Sequence, residues 1–212
     1  IEKFYDYFMV DEIQDLGGHD FNLIQAITPT TIDCLFVGDF YQHTFDTSND
    51  GNVNKGLYND YNKYKKKWSA IGVTIDETTL SNSYRCSPTT CQLVTEQLHI
   101  QISSHRQDNT EIILIDNQDD ADTLFVDNEK IKLFYREANK YSCYAENWGK
   151  SKGLDKFQDV CIVLNQTTLK GYNDNTLHQL NPSTRNKLYV AYTRSKGDIY
   201  FIPHVFLDKY KQ

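Results

Sequence analysis

The stretch Tyr7–Leu16, "YFMVDEIQDL", decides the fold. A short run of aromatic and aliphatic residues stops at two adjacent carboxylates, Asp11 and Glu12, and Gln14 and Asp15 follow at once. An apolar run closed by polar residues predicts a buried strand. In open parallel sheets, ligands bind beyond the carboxyl ends of the strands, which is where this acidic pair falls. Such a pair also suits a turn or a helix cap. At a strand end, however, one carboxylate can hold Mg²⁺, directly or through water, beside a nucleotide's phosphates. Its neighbour can then orient or deprotonate the attacking water.

Similar runs recur outward from this point: "TIDCLFVGD", "EIILIDN", "DVCIVLN" and "DIYFIPHVF". Unbroken apolarity in "CLFV" and "VCIVL" predicts strands buried on both faces, as in parallel sheets. Helical patterns lie between them. "HDFNLIQAI" spaces Phe21, Ile24 and Ile27 for one helix face, and "NKGLYNDYNKYKKKW" reads as an exposed basic helix. "SPTTCQLVTEQLHI" and "NPSTRNKLYVAYTRS" each open with a capping residue, Ser87 or Asn181, followed by proline at the first helical position. Strands alternating with helices predict an α/β architecture with mainly parallel sheets. The polar stretch 76–82, "DETTLSN", marks a break, Asn117 to Asp127 reads as an acidic irregular segment, and "NDNTLHQLNP" reads as a loop.

Composition narrows the class. The 212 residues are 39% hydrophobic and 24% charged, which fits a globular chain of one large or two small domains. The net charge of -7 argues against broad adhesion to nucleic acid without excluding a local basic groove. Five scattered cysteines form no C-x-x-C pair, so neither a disulfide framework nor a zinc site is indicated, and a reducing cytoplasm is expected.

Three further motifs carry chemistry. In "VGDFYQHTF", Gly38 and Asp39 close a second strand, and Gln42 offers an amide that both donates and accepts and so can sense a γ-phosphate by hydrogen bonding. Phe45 suits either the core or a base-stacking platform. In "LSNSYRCSP", Tyr84 and Arg85 sit at the expected junction of two halves. An adenine can stack on such a tyrosine, and the planar guanidinium binds phosphate bidentately. In "KSKGLDKFQDVCIVL" and "KLYVAYTRSKGDIYF", Lys152 and Gly153 precede a strand and Arg194 ends a capped helix, where arginines are usually solvated.

The ordered set DEIQD, GDFYQHTF, SYRCS, SKGLD and LYVAYTR resembles motifs II to VI of UvrD/Rep-like superfamily 1 DNA helicases. The resemblance implies RecA-like P-loop NTPase lobes, the first incomplete (1–80) and the second essentially complete (81–212). It further implies ATP hydrolysis with Mg²⁺, coupled between the lobes to 3′-to-5′ movement on single-stranded DNA such as a 3′-tailed duplex.

Asp11 would help hold Mg²⁺ and Glu12 would act as base. Gln14 and Asp15 would complete the metal motif and link it to the sensor Gln42, and Asp39 would approach the nucleotide. Tyr84 would face the adenine, while Arg85 and Arg194 would be two arginine fingers. Gly153 and Asp155 would approach the nucleotide, and Phe45, Ser151 and Lys152 the DNA.

The chain departs from the pattern in three ways. No G-x-x-x-x-G-K-[ST] loop occurs, so an upstream P-loop segment of the same protein is expected to supply it, and the 212 residues alone are expected to be inactive. Gly149 stands where the fifth motif often has histidine, and Asp155 where it often has glutamate. Only about sixty residues separate the fourth and fifth motifs, which leaves no room for a large inserted subdomain. A DNA-processing role such as repair, in a bacterial, phage or plasmid setting, is the expectation. A non-catalytic helicase-like scaffold and a metal-dependent nuclease using Asp11, Glu12 and Asp39 are the alternatives.

Overall fold

The computed structural model describes residues 3–28, 31–45 and 50–212. Its first element is strand β1 (Tyr7–Val10), paired in parallel with β2 (Asp33–Phe36) in the register Tyr7 to Asp33 and Val10 to Phe36. Helices α1 (Gly18–Ile27) and α2 (Tyr61–Ser69) complete this unit, which spans Ile1–Glu77. Its core is aromatic: Phe21 meets Trp68 edge to face at 5.0 Å, and Phe40, Tyr58 and Tyr64 close around them.

Two expectations need correction here. Strand β2 is not buried on both faces and β1 is not a buried strand, because side chains alternate across a strand and only one face of this ribbon meets the aromatic core. The other face leaves Tyr7, Met9 and Leu35 between 54% and 66% exposed. Nor is α2 simply exposed. Asp60 caps it by accepting from the Lys63 amide at 3.0 Å, its lysines face outward, and Tyr64 and Trp68, one turn apart, anchor it.

The second unit, Thr78–Gln212, opens with β3 (Asn82–Ser83), α3 (Pro88–Leu98) and β4 (Ser103–Ser104), with β3 and β4 paired in parallel. Then come β5 (Ile112–Leu114), α4 (Gln118–Val126), β6 (Ile131–Phe134), β7 (Ala145–Asn147), β8 (Val160–Leu164), α5 (Gln166–Asn173), α6 (Pro182–Tyr192) and β9 (Ile199–Pro203). Among the described residues, five strands form an all-parallel sheet in the order β5-β9-β8-β6-β7.

Central β8 is buried throughout, as its unbroken apolarity predicts. Cys161 and Val163 face α4, while Phe201 of β9 meets Tyr172 and Tyr192 of α5 and α6 at 4.8 and 5.4 Å. Both proline-led helices form with the expected caps: Ser87 accepts from the Thr90 amide and Asn181 from the Thr184 amide.

The acidic segment from Asn117 is a helix, not an irregular stretch. Asn117 caps α4, Asp119 and Asp120 sit in the first turn where the helix dipole favours negative charge, and Ala121, Leu124 and Phe125 are buried. Strand β6 contains Lys132, which is buried and keeps its ammonium bonded to the carbonyls of Lys130, at 3.0 Å, and Asp127. Burial pushes the Lys132 pKa down.

Candidate functional site

In the first unit, Asp11 and Glu12 are exposed at the carboxyl end of β1, and Asp11 Oδ1 accepts from the Glu12 amide at 2.8 Å. Glu12 has a left-handed backbone, φ 53°, which throws the chain into the 3₁₀ turn Ile13–Asp15. That turn carries Gln14 inward, fully buried.

The Gln14 amide group donates to Glu12 Oε2 at 2.5 Å, and its Oε1 accepts from the Asp39 amide at 3.0 Å. Asp39 caps the next 3₁₀ turn (Phe40–Gln42) through the Tyr41 amide, and its Oδ2 accepts from Gln42 Nε2 at 3.1 Å. A continuous chain of hydrogen bonds therefore runs from the Glu12 carboxylate to the Gln42 amide. Gln14 thus braces this chain from a fully buried position, and Asp15 is likewise buried at 8% exposure.

Gly38 makes this chain possible. A Cβ there would lie 2.2 Å from Gln14 Oε1 and 2.9 Å from Ile13 Cγ2. Gly38→Ala is expected to displace Gln14 and lower unfolding stability by about 1–3 kcal/mol, the usual cost of overpacking. Thermal unfolding measures this, and an unchanged midpoint would disprove the close packing.

The oxygen donors at Asp11, Glu12 and Asp39 suit a hard cation. No group of three or more possible metal ligands gathers among the described residues.

In the second unit, Ser83, Tyr84, Arg85, Asp155 and Lys196 line a cleft of about 390 Å³. Tyr84 is 80% exposed and stacks on His105 at 4.0 Å, so its outer ring face is open to a planar ligand. Arg85 Nε donates to Asp155 Oδ1 at 2.7 Å, and its Nη1 donates to the Thr193 carbonyl at 3.3 Å. Lys196 Nζ lies 3.3 Å from the same carboxylate oxygen and donates to the Asp155 carbonyl at 2.8 Å. Hydrogen bonding to Arg85, and then its charge, hold the Asp155 carboxyl below the usual carboxylate range.

Arg194 is not a solvated helix-end residue. It is 2% exposed, with Nε on the Val190 carbonyl at 3.1 Å, Nη1 on the Leu154 carbonyl at 3.3 Å and Nη2 on Thr193 Oγ1 at 3.4 Å. Burial, and next the charge of Arg85, push its pKa down to about 10.

Other expected contacts divide. Ser151 is fully buried and its hydroxyl donates to the Trp148 carbonyl at 2.6 Å, closing its own 3₁₀ turn, so it does not face a nucleic acid. Lys152 is partly exposed, and Gly153 takes the left-handed φ of 78° that turns the chain toward Asp155. Phe45 is 55% exposed, which removes it from the core. Sequence reasoning missed Lys196, His105 and Arg106, whose guanidinium donates to the Arg85 carbonyl. Only Lys196 left a trace, as a cation two places after Arg194.

Residues 2–203 match the family model of the viral superfamily 1 RNA helicase core domain. The chain belongs to this family. No curated protein sequence matches it. Among solved structures, the PRRSV helicase is similar at 15% identity and a TM-score of 0.57, covering 96% of this chain and 36% of that one. Arterivirus nonstructural protein 10, a helicase solved with DNA, is similar at 16% identity and a TM-score of 0.55, covering 95% and 40%. The chain thus spans well under half the length of either structure. At these identities the likeness shows the fold alone, α/β with a parallel sheet; the family match agrees with the motifs on superfamily 1 and points to its viral branch rather than to UvrD/Rep-like enzymes.

Proposed function

We propose that this helicase core takes part in ATP hydrolysis and couples it to movement along a single nucleic-acid strand. The observation that carries the reading is the hydrogen-bonded chain Glu12–Gln14–Asp39–Gln42. It ties a candidate general base to a candidate phosphate sensor, so a change at one is felt at the other. Glu12 accepts the proton of the attacking water, and Gln42 hydrogen-bonds the terminal phosphate. Asp11 would hold Mg²⁺, which would supply charge that offsets the phosphates.

Tyr84 offers its open face to the base and Arg85 its guanidinium to phosphate oxygens. Arg194 serves as the second finger by giving up its long bond to the Leu154 carbonyl. Phe45 and Lys152 touch the strand, which stacking and cation contacts suit. The P-loop comes from another segment of the same protein, and the setting is cytoplasmic.

The strand is DNA with 3′-to-5′ polarity on the motif resemblance to UvrD/Rep-like enzymes. The RNA named in the family's description favours a second reading, in which the strand is RNA. The full helicase, assayed for ATP turnover with oligo(dT) or oligo(U), separates the two. At least tenfold stimulation by oligo(dT) supports the DNA reading, and stimulation by oligo(U) alone supports RNA. No ATP turnover with either strand would favour the non-catalytic scaffold.

A further inference from the structure

We propose that Asp155 is a displaceable carboxylate that holds Arg85 and Lys196 in reserve, and that polyphosphate oxygens take its place, which makes Lys196 a phosphate-binding residue of the cleft. The inference rests on the nucleotide reading of this unit but concerns residues to which that reading gives no such roles. Two cations share one carboxylate oxygen, Arg85 Nε at 2.7 Å and Lys196 Nζ at 3.3 Å, and all three residues line the same cleft as the open face of Tyr84. The Asp155 side chain is 58% exposed, so its bridges are screened by water and weak. A polyphosphate brings several charges and accepts bidentately from a guanidinium, which one carboxylate cannot match once the ligand is near.

Both cations have second anchors that survive the exchange. Arg85 keeps the Thr193 carbonyl, and Lys196 keeps the main-chain carbonyl of Asp155 at 2.8 Å. Only the carboxylate has to leave, and the left-handed Gly153 two residues earlier begins an exposed turn in which it can swing. Without Asp155 the two cations would repel each other across an empty cleft; with it they stay paired and aimed until phosphate arrives.

The test titrates inorganic tripolyphosphate, which has neither base nor ribose, into the 212-residue chain by calorimetry. Asp155→Asn is expected to tighten binding three- to tenfold, and Lys196→Gln to weaken it at least threefold in the wild-type and Asp155→Asn backgrounds alike. Unchanged or weaker binding in Asp155→Asn overturns the proposal, as does the absence of tripolyphosphate binding in both proteins. Weaker ATP binding with unchanged tripolyphosphate binding would instead make Asp155 a ribose ligand, and also overturns it. Because no hydrolysis is measured, an inactive motor would sink the functional reading while leaving this result standing.

Discussion

Arg85→Ala in the full helicase is expected to cut strand-stimulated ATP turnover by about 10³-fold or more, the usual loss for an arginine finger. The fold should be untouched. Arg85 is partly exposed, and its bridge to the more exposed Asp155 contributes less than about 1 kcal/mol after screening. Turnover and thermal unfolding measured on one preparation make the test. Near-normal turnover would refute the assignment, and a collapse of the melting temperature would convert Arg85 into a structural residue.

Arg194→Ala is expected to behave differently. Its guanidinium is buried and joins the end of α6 to Leu154 in the turn before β8, so truncation strands the Leu154 carbonyl beside a cavity and leaves the Val190 carbonyl only the Thr193 hydroxyl. Losing a buried charged donor with three partners costs about 2–4 kcal/mol. Turnover should fall as well, because the proposed second finger is lost and because Thr193, which Arg194 steadies through Oγ1, also holds Arg85 through its carbonyl. Arg194→Lys keeps the charge yet cannot span three acceptors, so it should recover part of the stability. A fully stable Arg194→Ala protein would show that the burial does no energetic work.

The contrast between these arginines shows what a sequence discloses. Both stand beside a motif aromatic or helix end, and nothing in "SYRCS" or "YTRSK" says that one faces the cleft and the other is enclosed. That depends on the turn at 151–155, which lies far away in sequence. Ser151 is enclosed by the same turn: its hydroxyl turns back on Trp148.

Local signals did better. Capping side chains and prolines marked α3 and α6 because those rules act within four residues, and the unbroken run of β8 marked a central strand. Strand β6 escaped because Lys132 interrupts its apolar run, and only tertiary packing supplies the carbonyls that make the buried ammonium tolerable. Helix α4 escaped because its aspartates look like a solvated loop until the dipole they complement is recognised. The acidic pair after β1 is legible in the sequence as a candidate site; the route from the buried Gln14 amide through the Asp39 backbone is not, since that contact spans the gap from Gln14 to Asp39.

The left-handed backbone at Glu12 carries a consequence for anyone breeding sturdier variants of this protein. A glutamate in that conformation stores roughly 1 kcal/mol or more of strain that asparagine or glycine would relieve. Heat-tolerance screens would therefore favour discarding the proposed proton acceptor early, and libraries selected on ruggedness alone would drift toward well-behaved, catalytically silent molecules.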